Sequence, residues 1–427
     1  MDNFFKKTTA LFLAALMLTA CASSDKGEKK TASSKGEGAV TSKTDTTKEF
    51  PQVESCKNDD ENFRVYTSNT YVSTGCNGLS KALTDTTYRA YFPLEEYGEL
   101  EYRFFFSNTV DSTYNKGKPV YVGKEGGEYQ VISANLYDGG DDENDEPVLL
   151  SKVTFDGSEG KTVKPNETFW SDPVTIDVPE GHFLVWEWTL NGRDIPSTEM
   201  SNLTKAVAKA QGKEEFSYCS AMPQPVLIGA KRDKVENRVV LIGDSITQGC
   251  QTEYMKYEFW GAGIAQGLSE RYSLWNCGLG WARSSDLATC GSWLSRALNC
   301  DTAVIAFGTN DITSGDLNGD GKGDSADEII GYITDILAQY HAAGVENIIV
   351  FNAPPQDYKE NKEAVRVEYN QMLRQLCEDY GVEYFDFASY LCDEATPDKA
   401  KYGGHPNGEA GAIVAKAFLE KYDYLTK

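Results

Sequence analysis

The stretch V-V-L-I-G-D-S-I-T-Q-G, residues 239–249, joins an apolar run to a glycine, an acid and a serine. Consecutive apolar residues without polar alternation predict a strand that is covered on both faces, as in a parallel sheet. The run ends at Gly243, so we expect Ser245 at the carboxyl end of that strand. Open parallel sheets bind their ligands beyond these carboxyl ends. The stretch therefore predicts a hydroxyl group at a ligand-binding edge.

The chain after Arg238 repeats this pattern. Four further apolar runs predict strands, namely Y-S-L-W-N, T-A-V-I-A-F, N-I-I-V-F-N and V-E-Y-F-D-F. Apolar residues at helical spacing predict helices over 329–340 and 365–380. This alternation predicts an α/β domain over residues 232–427, with a parallel sheet and helices on both of its faces.

Residues 50–225 have a different period. Short aromatic and β-branched runs such as E-Y-R-F-F-F and H-F-L-V-W-E-W-T-L are separated by Gly, Asp, Asn and Pro. Leu184, Trp186, Trp188 and Leu190 alternate, as expected for a strand with one buried face. The pattern predicts an all-β, jelly-roll-like sandwich domain ahead of the α/β domain. The acidic loop at 138–147 is interpreted as a solvated turn, with a cation site as the alternative.

The first residues have the order of a secretory signal. Lys6 and Lys7 precede a short apolar segment, and residues 1–20 end in L-T-A before Cys21. This ending resembles the bacterial lipobox, which implies lipidation of Cys21 and a location on the extracellular face of a bacterial membrane. Residues 21–49 have too few apolar residues to form a folded segment, and the first aromatic residue after Cys21 is Phe50. This composition predicts a disordered tether. The expected membrane contact is the lipid anchor alone.

Charge and cysteine content exclude other classes. The net charge of -24 argues against a nucleic-acid partner, which would repel the protein. Of 10 cysteines, nine remain without Cys21, and an odd number leaves at least one thiol unpaired. The chain has no C-x-x-C pair, so a zinc site is not expected. The oligomeric state does not follow from the sequence.

Four short motifs follow predicted strands or precede the last helix. They are Gly243-Asp244-Ser245, Asn276-Cys277-Gly278-Leu279-Gly280-Trp281, Gly308-Thr309-Asn310-Asp311 and Gly404-His405-Pro406-Asn407, here called blocks one to four. Together they supply a hydroxyl, backbone N–H groups near glycine, a side-chain amide and an imidazole. An acyl-transfer enzyme needs these groups as nucleophile, oxyanion donors and base.

The four blocks, in this order and spacing, resemble the SGNH (GDSL) hydrolase family. The resemblance covers Arg238 to the C-terminus and implies a flavodoxin-like fold and a serine esterase that needs no cofactor for catalysis. It implies that Ser245 is the nucleophile and His405 its base. The backbone N–H of Ser245, a block-two N–H and the Asn310 amide are then the oxyanion donors.

Two positions depart from the family pattern. The family commonly carries an aspartate three residues before the histidine, and this chain has Tyr402 there. Asp398, Asp393 or a backbone carbonyl are the candidates for supporting His405, and some acetyl esterases of this fold use a serine–histidine dyad. In block two, Trp281 stands at the family's oxyanion glycine, so either Gly280 or Trp281 donates the N–H.

A loop after block three has the ligand spacing of an EF-hand. Oxygen-bearing side chains fall at positions 1, 3, 5, 9 and 12, and a backbone carbonyl at position 7; these residues are Asp316, Asn318, Asp320, Asp324, Asp327 and, for the carbonyl, Lys322. The loop most resembles the calcium loop of dockerin repeats. It predicts a structural Ca²⁺ that braces the segment after Asn310.

The resemblance and the anchor together imply an extracellular esterase that removes O-acetyl or other short acyl groups from a polysaccharide or oligosaccharide. A β-sandwich before an SGNH domain also resembles some carbohydrate acetyl esterases. Tyr254, Tyr257 and Trp260 follow block one and are interpreted as core residues, with sugar stacking as the alternative. Two other functions stay open: a lipase, lysophospholipase or thioesterase, and a catalytically weak glycan-binding protein.

Overall fold

The first part of the chain is built almost entirely from strands. The computed structural model describes residues 48–113, 122–199, 203–314 and 323–427. A short helix, α1 (Asn62–Val65), precedes the strands. The strands of this part are β1 (Thr67–Ser68), β2 (Gly78–Leu79), β3 (Leu83–Phe92), β4 (Gly98–Ser107), β5 (Tyr129–Asp138), β6 (Val148–Val153), β7 (Lys161–Val163), β8 (Thr168–Trp170), β9 (Val174–Val178), β10 (Leu184–Gly192), β11 (Pro196–Glu199), β12 (Ala206–Lys209), β13 (Ser217–Tyr218), β14 (Ala221–Met222) and β15 (Leu227–Lys231).

These strands form antiparallel sheets. One sheet has the order β1-β15-β4-β8 with β9 paired to β4, a second has β13-β12-β3-β10-β5-β6 with β7 paired to β5, and a third has β14-β11-β2. Aromatic side chains of β4 pack on those of β10, with ring centroids 4.7 Å apart for Phe104–Trp186 and 5.3 Å for Phe106–Trp188. The four alternating residues of β10, Leu184, Trp186, Trp188 and Leu190, are all buried. Val185 and Glu187 between them are buried as well, so the prediction that only one face of this strand is covered was wrong.

The second part of the chain has one parallel sheet. Its strands are β16 (Asn237–Gly243), β17 (Tyr272–Asn276), β18 (Thr302–Ala306), β19 (Asn347–Phe351) and β20 (Glu383–Phe385). Its helices are α2 (Ser245–Gln248), α3 (Trp260–Gly267), α4 (Ser284–Ala288), α5 (Ser292–Ala297), α6 (Thr309–Ser314), α7 (Ala326–Ala342), α8 (Glu360–Tyr380) and α9 (Gly408–Lys421), with 3₁₀ turns at Phe387–Tyr390 and Asp423–Thr426. The sheet order is β17-β16-β18-β19-β20, and every pairing is parallel. The predicted α/β class is confirmed.

The two long predicted helices are present, and local signals set their ends. Ser325 caps α7, since its hydroxyl accepts from the Glu328 N–H, while the Glu328 carboxylate accepts from the Ser325 N–H at 2.8 Å. Gly381 ends α8 in the left-handed conformation that glycine favours, at φ +68°. Among the helices of the described residues, none combines the length with the apolar composition that crossing a bilayer requires.

A buried ion pair joins the two parts of the chain. Both terminal nitrogens of Arg296, on α5, donate to the carboxylate of Asp111 at 2.6 Å, and both side chains are almost fully buried. The same carboxylate accepts from the Cys76 N–H at 2.9 Å and the Ser292 hydroxyl at 2.9 Å. These bonds satisfy a charge that would otherwise be costly to bury. They also fix the segment around Cys76 against the parallel-sheet part.

The sheet pairing extends past the predicted boundary at residue 225. Strand β15 (Leu227–Lys231) pairs with β4 and β1, so the strand-rich part continues to Lys231. The run L-I-G-A-K contains a glycine and a lysine, and its partners lie far away in sequence. Nothing local to the run therefore marked it as a strand.

The segment at 48–60 packs on the helices of the second part. The Phe50 ring stacks on His341 and Tyr380, with centroids 4.4 and 4.7 Å apart. A disulfide joins Cys56 to Cys290, and the other seven cysteines of the described residues are free thiols. This bond ties the segment to the loop between α4 and α5, a pairing that the sequence left open.

Candidate active site

Strand β16 places Ser245 at the carboxyl edge of the parallel sheet. Asp244 caps the short helix α2, because its carboxylate accepts from the Ile246 N–H at 2.9 Å. A Cβ atom at Gly243 would collide with the Thr247 hydroxyl and the Ala306 carbonyl oxygen. Only glycine allows so tight a turn, and the turn leaves Ser245 half-buried rather than enclosed.

The loop before α9 brings His405 to this serine. Ser245 Oγ and His405 Nε2 lie 2.8 Å apart, although 160 residues separate them in sequence. Two contacts hold the loop: the Asn407 side chain caps α9 by accepting from the Ala410 N–H at 3.1 Å, and Gln356 Nε2 donates to the Gly404 carbonyl at 2.6 Å. A hydroxyl and an imidazole at this distance form a nucleophile–base pair.

Burial sets the charge of the imidazole. It lowers the pKa of His405 from its ordinary 6.5, because a buried site disfavours the cation. The ring is therefore neutral at pH 7 and able to accept the proton of Ser245. Burial also raises the pKa of Asp244, to about 7, against the opposing effect of its bond from Ile246.

The two acids proposed to support His405 have other partners. Asp398 pairs with Lys399 at 3.1 Å and Asp393 with Lys401 at 2.9 Å. Within residues 48–113, 122–199, 203–314 and 323–427, no carboxylate bonds to the His405 ring. The described site therefore has a serine–histidine dyad.

Asn310 lies next to block two. It sits in the first turn of α6 and is buried, and its Nδ2 donates to the Ala282 carbonyl at 3.1 Å. A side-chain amide carries two N–H donors, so this bond orients the group while using one of them. Among the described residues the second N–H bonds to no acceptor, and the sequence predicts that it donates to a developing oxyanion.

Asp311, which the sequence analysis left without a role, joins blocks two and three. Its carboxylate accepts from the Gly308 N–H at 3.1 Å and from the Ser284 N–H at 2.9 Å, as well as from the Ser284 hydroxyl. Burial raises the pKa of Asp311, and the two bonds from Ser284 oppose the shift. The aspartate of block three thus fixes the start of α4, just after block two. The sequence shows an aspartate in block three, but it does not show that Ser284, 27 residues earlier, donates to it.

Block two runs along the end of β16. The Leu279 N–H donates to the Gly243 carbonyl at 3.0 Å and the Cys277 N–H to the Leu241 carbonyl at 2.7 Å. Trp281 has φ +69°, the left-handed region in which glycine is favoured. Glycine, which the family resemblance leads us to expect at this position, would adopt this conformation without strain. Either Gly280 or Trp281 remains the predicted oxyanion donor.

The comparisons agree with this geometry. Residues 241–413 match the model of the GDSL-like lipase/acylhydrolase family. This part of the chain is therefore similar to a GDSL-like acylhydrolase domain. No curated protein sequence matches the chain.

Several solved structures resemble the chain at low identity. An alpha/beta hydrolase enzyme from the metagenome of Lake Arreo, Spain, is 20% identical, with 45% of this chain and 98% of that chain covered and a TM-score of 0.37. A member of the lipolytic G-D-S-L family from Veillonella parvula DSM 2008 is 19% identical, with 44% and 99% covered and a TM-score of 0.36. A catalytic mutant of an acetylxylan esterase from Geobacillus stearothermophilus is 20% identical, with 44% and 95% covered and a TM-score of 0.35. Likeness at this level does not fix a substrate.

Part of the predicted calcium loop of the acylhydrolase domain lies outside the described residues, namely Asp316, Asn318, Asp320 and Lys322. Of the two others, Asp324 is buried and Asp327 is exposed in the first turn of α7. The described ranges contain no group of three or more His, Cys, Asp or Glu side chains arranged for a metal. Cys21 also lies outside the described residues.

The aromatic residues after block one have different environments. Trp260 is buried and its ring packs, tilted, against Phe351 with centroids 5.0 Å apart. Tyr257 packs against the cores of both parts of the chain. Tyr254 is 42% exposed. The core interpretation thus fits Trp260 and Tyr257, whereas Tyr254 is open to solvent.

Residues of the strand-rich part reach block two, and sequence reasoning missed them. Ser73 Oγ donates to the Gly278 carbonyl, and Asn77 Nδ2 donates to the Gly280 carbonyl at 3.1 Å. More than 200 residues separate the partners in each pair, 205 and 203. No local pattern links such positions, so no sequence signal was available.

Proposed function

We propose that the protein is an extracellular serine esterase that removes O-acetyl or other short acyl groups from a glycan. The observation that carries the proposal is the 2.8 Å contact between Ser245 Oγ and a half-buried, neutral His405, in a region that matches an acylhydrolase family model. The glycan is supported by the strand-rich part and by the exposed Tyr254, which follows block one in the sequence. Two of its antiparallel sheets pack on each other through Phe104 and Trp186, which supports a jelly-roll-like sandwich for that part.

The proposed reaction has two halves. Ser245 Oγ attacks the ester carbonyl carbon while His405 Nε2 takes its proton, and the oxyanion accepts from Asn310 and a block-two N–H. The carbon–oxygen bond to the sugar then breaks, and His405 returns the proton to the departing oxygen. Water attacks the acyl-serine with His405 as base, which releases the carboxylic acid and regenerates Ser245.

One observation favours a second candidate, a catalytically weak surface glycan-binding protein. The described residues place no carboxylate against His405, and an orienting acid contributes strongly to rate in hydrolases that have one. Glycan binding without Ser245-dependent turnover would favour this candidate.

The esterase proposal is tested with p-nitrophenyl esters of increasing chain length. We expect acetate to be hydrolysed faster than butyrate, and kcat to fall about 10⁴-fold or more in Ser245→Ala and His405→Ala, because each variant removes a reacting group. Ser389→Ala and His341→Ala are matched controls at exposed positions and should keep wild-type activity. Activity that persists in Ser245→Ala would refute the mechanism, and a preference for long chains would favour a lipase or thioesterase.

We also propose that the loop from Asp316 to Asp327 binds a structural Ca²⁺, supported by its EF-hand spacing. Ca²⁺ should raise the melting temperature by about 2 °C or more over protein in EDTA, since a ligand that binds only the folded state stabilises it. Asp320→Asn should abolish the shift, whereas Asp142→Asn, in the acidic loop at 138–147, should keep it. An unchanged shift in Asp320→Asn would contradict the assignment.

The location is a further proposal, supported by the lipobox-like L-T-A-C ending at Cys21. In cells, the wild-type chain should sediment with the membrane fraction and be accessible to external protease. Cys21→Ser should move it to the soluble fraction, since the lipid chains supply the membrane affinity. Equal sedimentation of the two proteins would argue against a lipid anchor on this residue.

A further inference from the structure

Asn77, in the strand-rich part, touches the catalytic machinery of the other part. Its side chain is 1% exposed, so both of its polar atoms must find partners inside the protein. Nδ2 donates to the Gly280 carbonyl at 3.1 Å, and Oδ1 accepts from the Glu199 N–H at 3.1 Å. Because one partner is an acceptor and the other a donor, the amide has only one satisfactory orientation.

The bond to Gly280 fixes one peptide plane of block two. In a trans peptide, the C=O and the following N–H point in opposite directions within one plane. Holding the Gly280 carbonyl therefore fixes the direction of the Trp281 N–H, one of the two candidates for the block-two oxyanion donor. The left-handed backbone of Trp281, at φ +69°, is unfavourable for a non-glycine residue and needs such support.

The other bond of Asn77 leads back to the nucleophile. Glu199 donates its backbone N–H to Asn77. The backbone carbonyl of the same residue accepts from Gln248 Nε2 at 3.1 Å. Gln248 ends α2, the helix that begins at Ser245. The backbone of β11 thus connects the serine helix, through Asn77, to block two.

Asn77 itself is held firmly. The preceding residue, Cys76, donates its N–H to Asp111, whose carboxylate is paired with the buried Arg296. Thr198 on β11 bonds through its hydroxyl to the Gly75 carbonyl. Asp111 and Thr198 therefore hold the two residues that precede Asn77, and the amide has little freedom to move away from Gly280.

We propose that Asn77 is a positioning residue for the esterase reaction, through which the strand-rich part sets the oxyanion-binding loop against Ser245. This inference rests on the proposed function. Asn77 touches neither the substrate nor the reacting atoms, and it acts through the Gly280–Trp281 peptide. The strand-rich part then helps to shape the active site, whether or not it also binds a glycan.

The test compares kcat and KM of the full chain with Asn77→Asp, Asn77→Ala and Asn69→Ala, on p-nitrophenyl acetate well below every melting temperature. Asn77→Asp keeps the acceptor for Glu199 but loses the donor to Gly280. Asn69 is the matched control, because it is equally buried and bonds to Glu96 and Tyr102, away from block two. Thermal melts report the loss of stability in each variant.

We expect kcat to fall about 10- to 100-fold in both Asn77 variants with KM within about 2-fold of wild type, because an oxyanion contact acts in the transition state. Asn69→Ala should lower the melting temperature and keep kcat. Wild-type kcat in folded Asn77→Asp, or an equal fall in Asn69→Ala, would overturn the inference. A wild-type chain without Ser245-dependent hydrolysis would instead refute the proposed function, and this inference with it.

Discussion

The register of the parallel sheet is the constraint on which the site depends. β16 pairs with β17 so that Leu241 lies opposite Asn276, and with β18 so that Gly243 lies opposite Ala306. Blocks one, two and three lie at the carboxyl ends of these three strands. Side chains of a strand alternate between its two faces, so a shift of one residue would move each of these groups to the wrong side. The backbone pairing of the sheet therefore sets the positions of blocks one to three.

Side chains then refine this arrangement through buried polar contacts. Asp244 and Asp311 are both buried, and each receives backbone N–H donors at the edge of the sheet. Burying a carboxylate is costly, which is why the pKa values of both groups are raised. Their bonds fix backbone segments rather than a substrate. The site is thus rigid around Ser245, and His405 enters from a loop that Gln356 and Asn407 hold in place.

The sequence predicted the features that have a local signature. Apolar runs identified the strands of the parallel sheet, helical spacing identified α7 and α8, and the four blocks led to Ser245, His405 and Asn310. Contacts between distant segments had no such signature, as with Asn77 and Gly280 or Cys56 and Cys290. For Asp398 and Asp393 a signal was available, because Lys399 and Lys401 lie close by in the sequence and now pair with them.

The central claim, that Ser245 is a nucleophile activated by His405, is tested most directly by covalent labelling. The chain from residue 48 onward would be treated with a fluorophosphonate ester over a range of pH, and the label would be located by peptide mass spectrometry. The account predicts a single label on Ser245 and a labelling rate that falls only below about pH 6.5, where the imidazole with its lowered pKa gains a proton. It also predicts a rate at least about 100-fold lower in His405→Ala. A folded chain that leaves Ser245 unlabelled, or that labels equally fast without His405, would contradict the account.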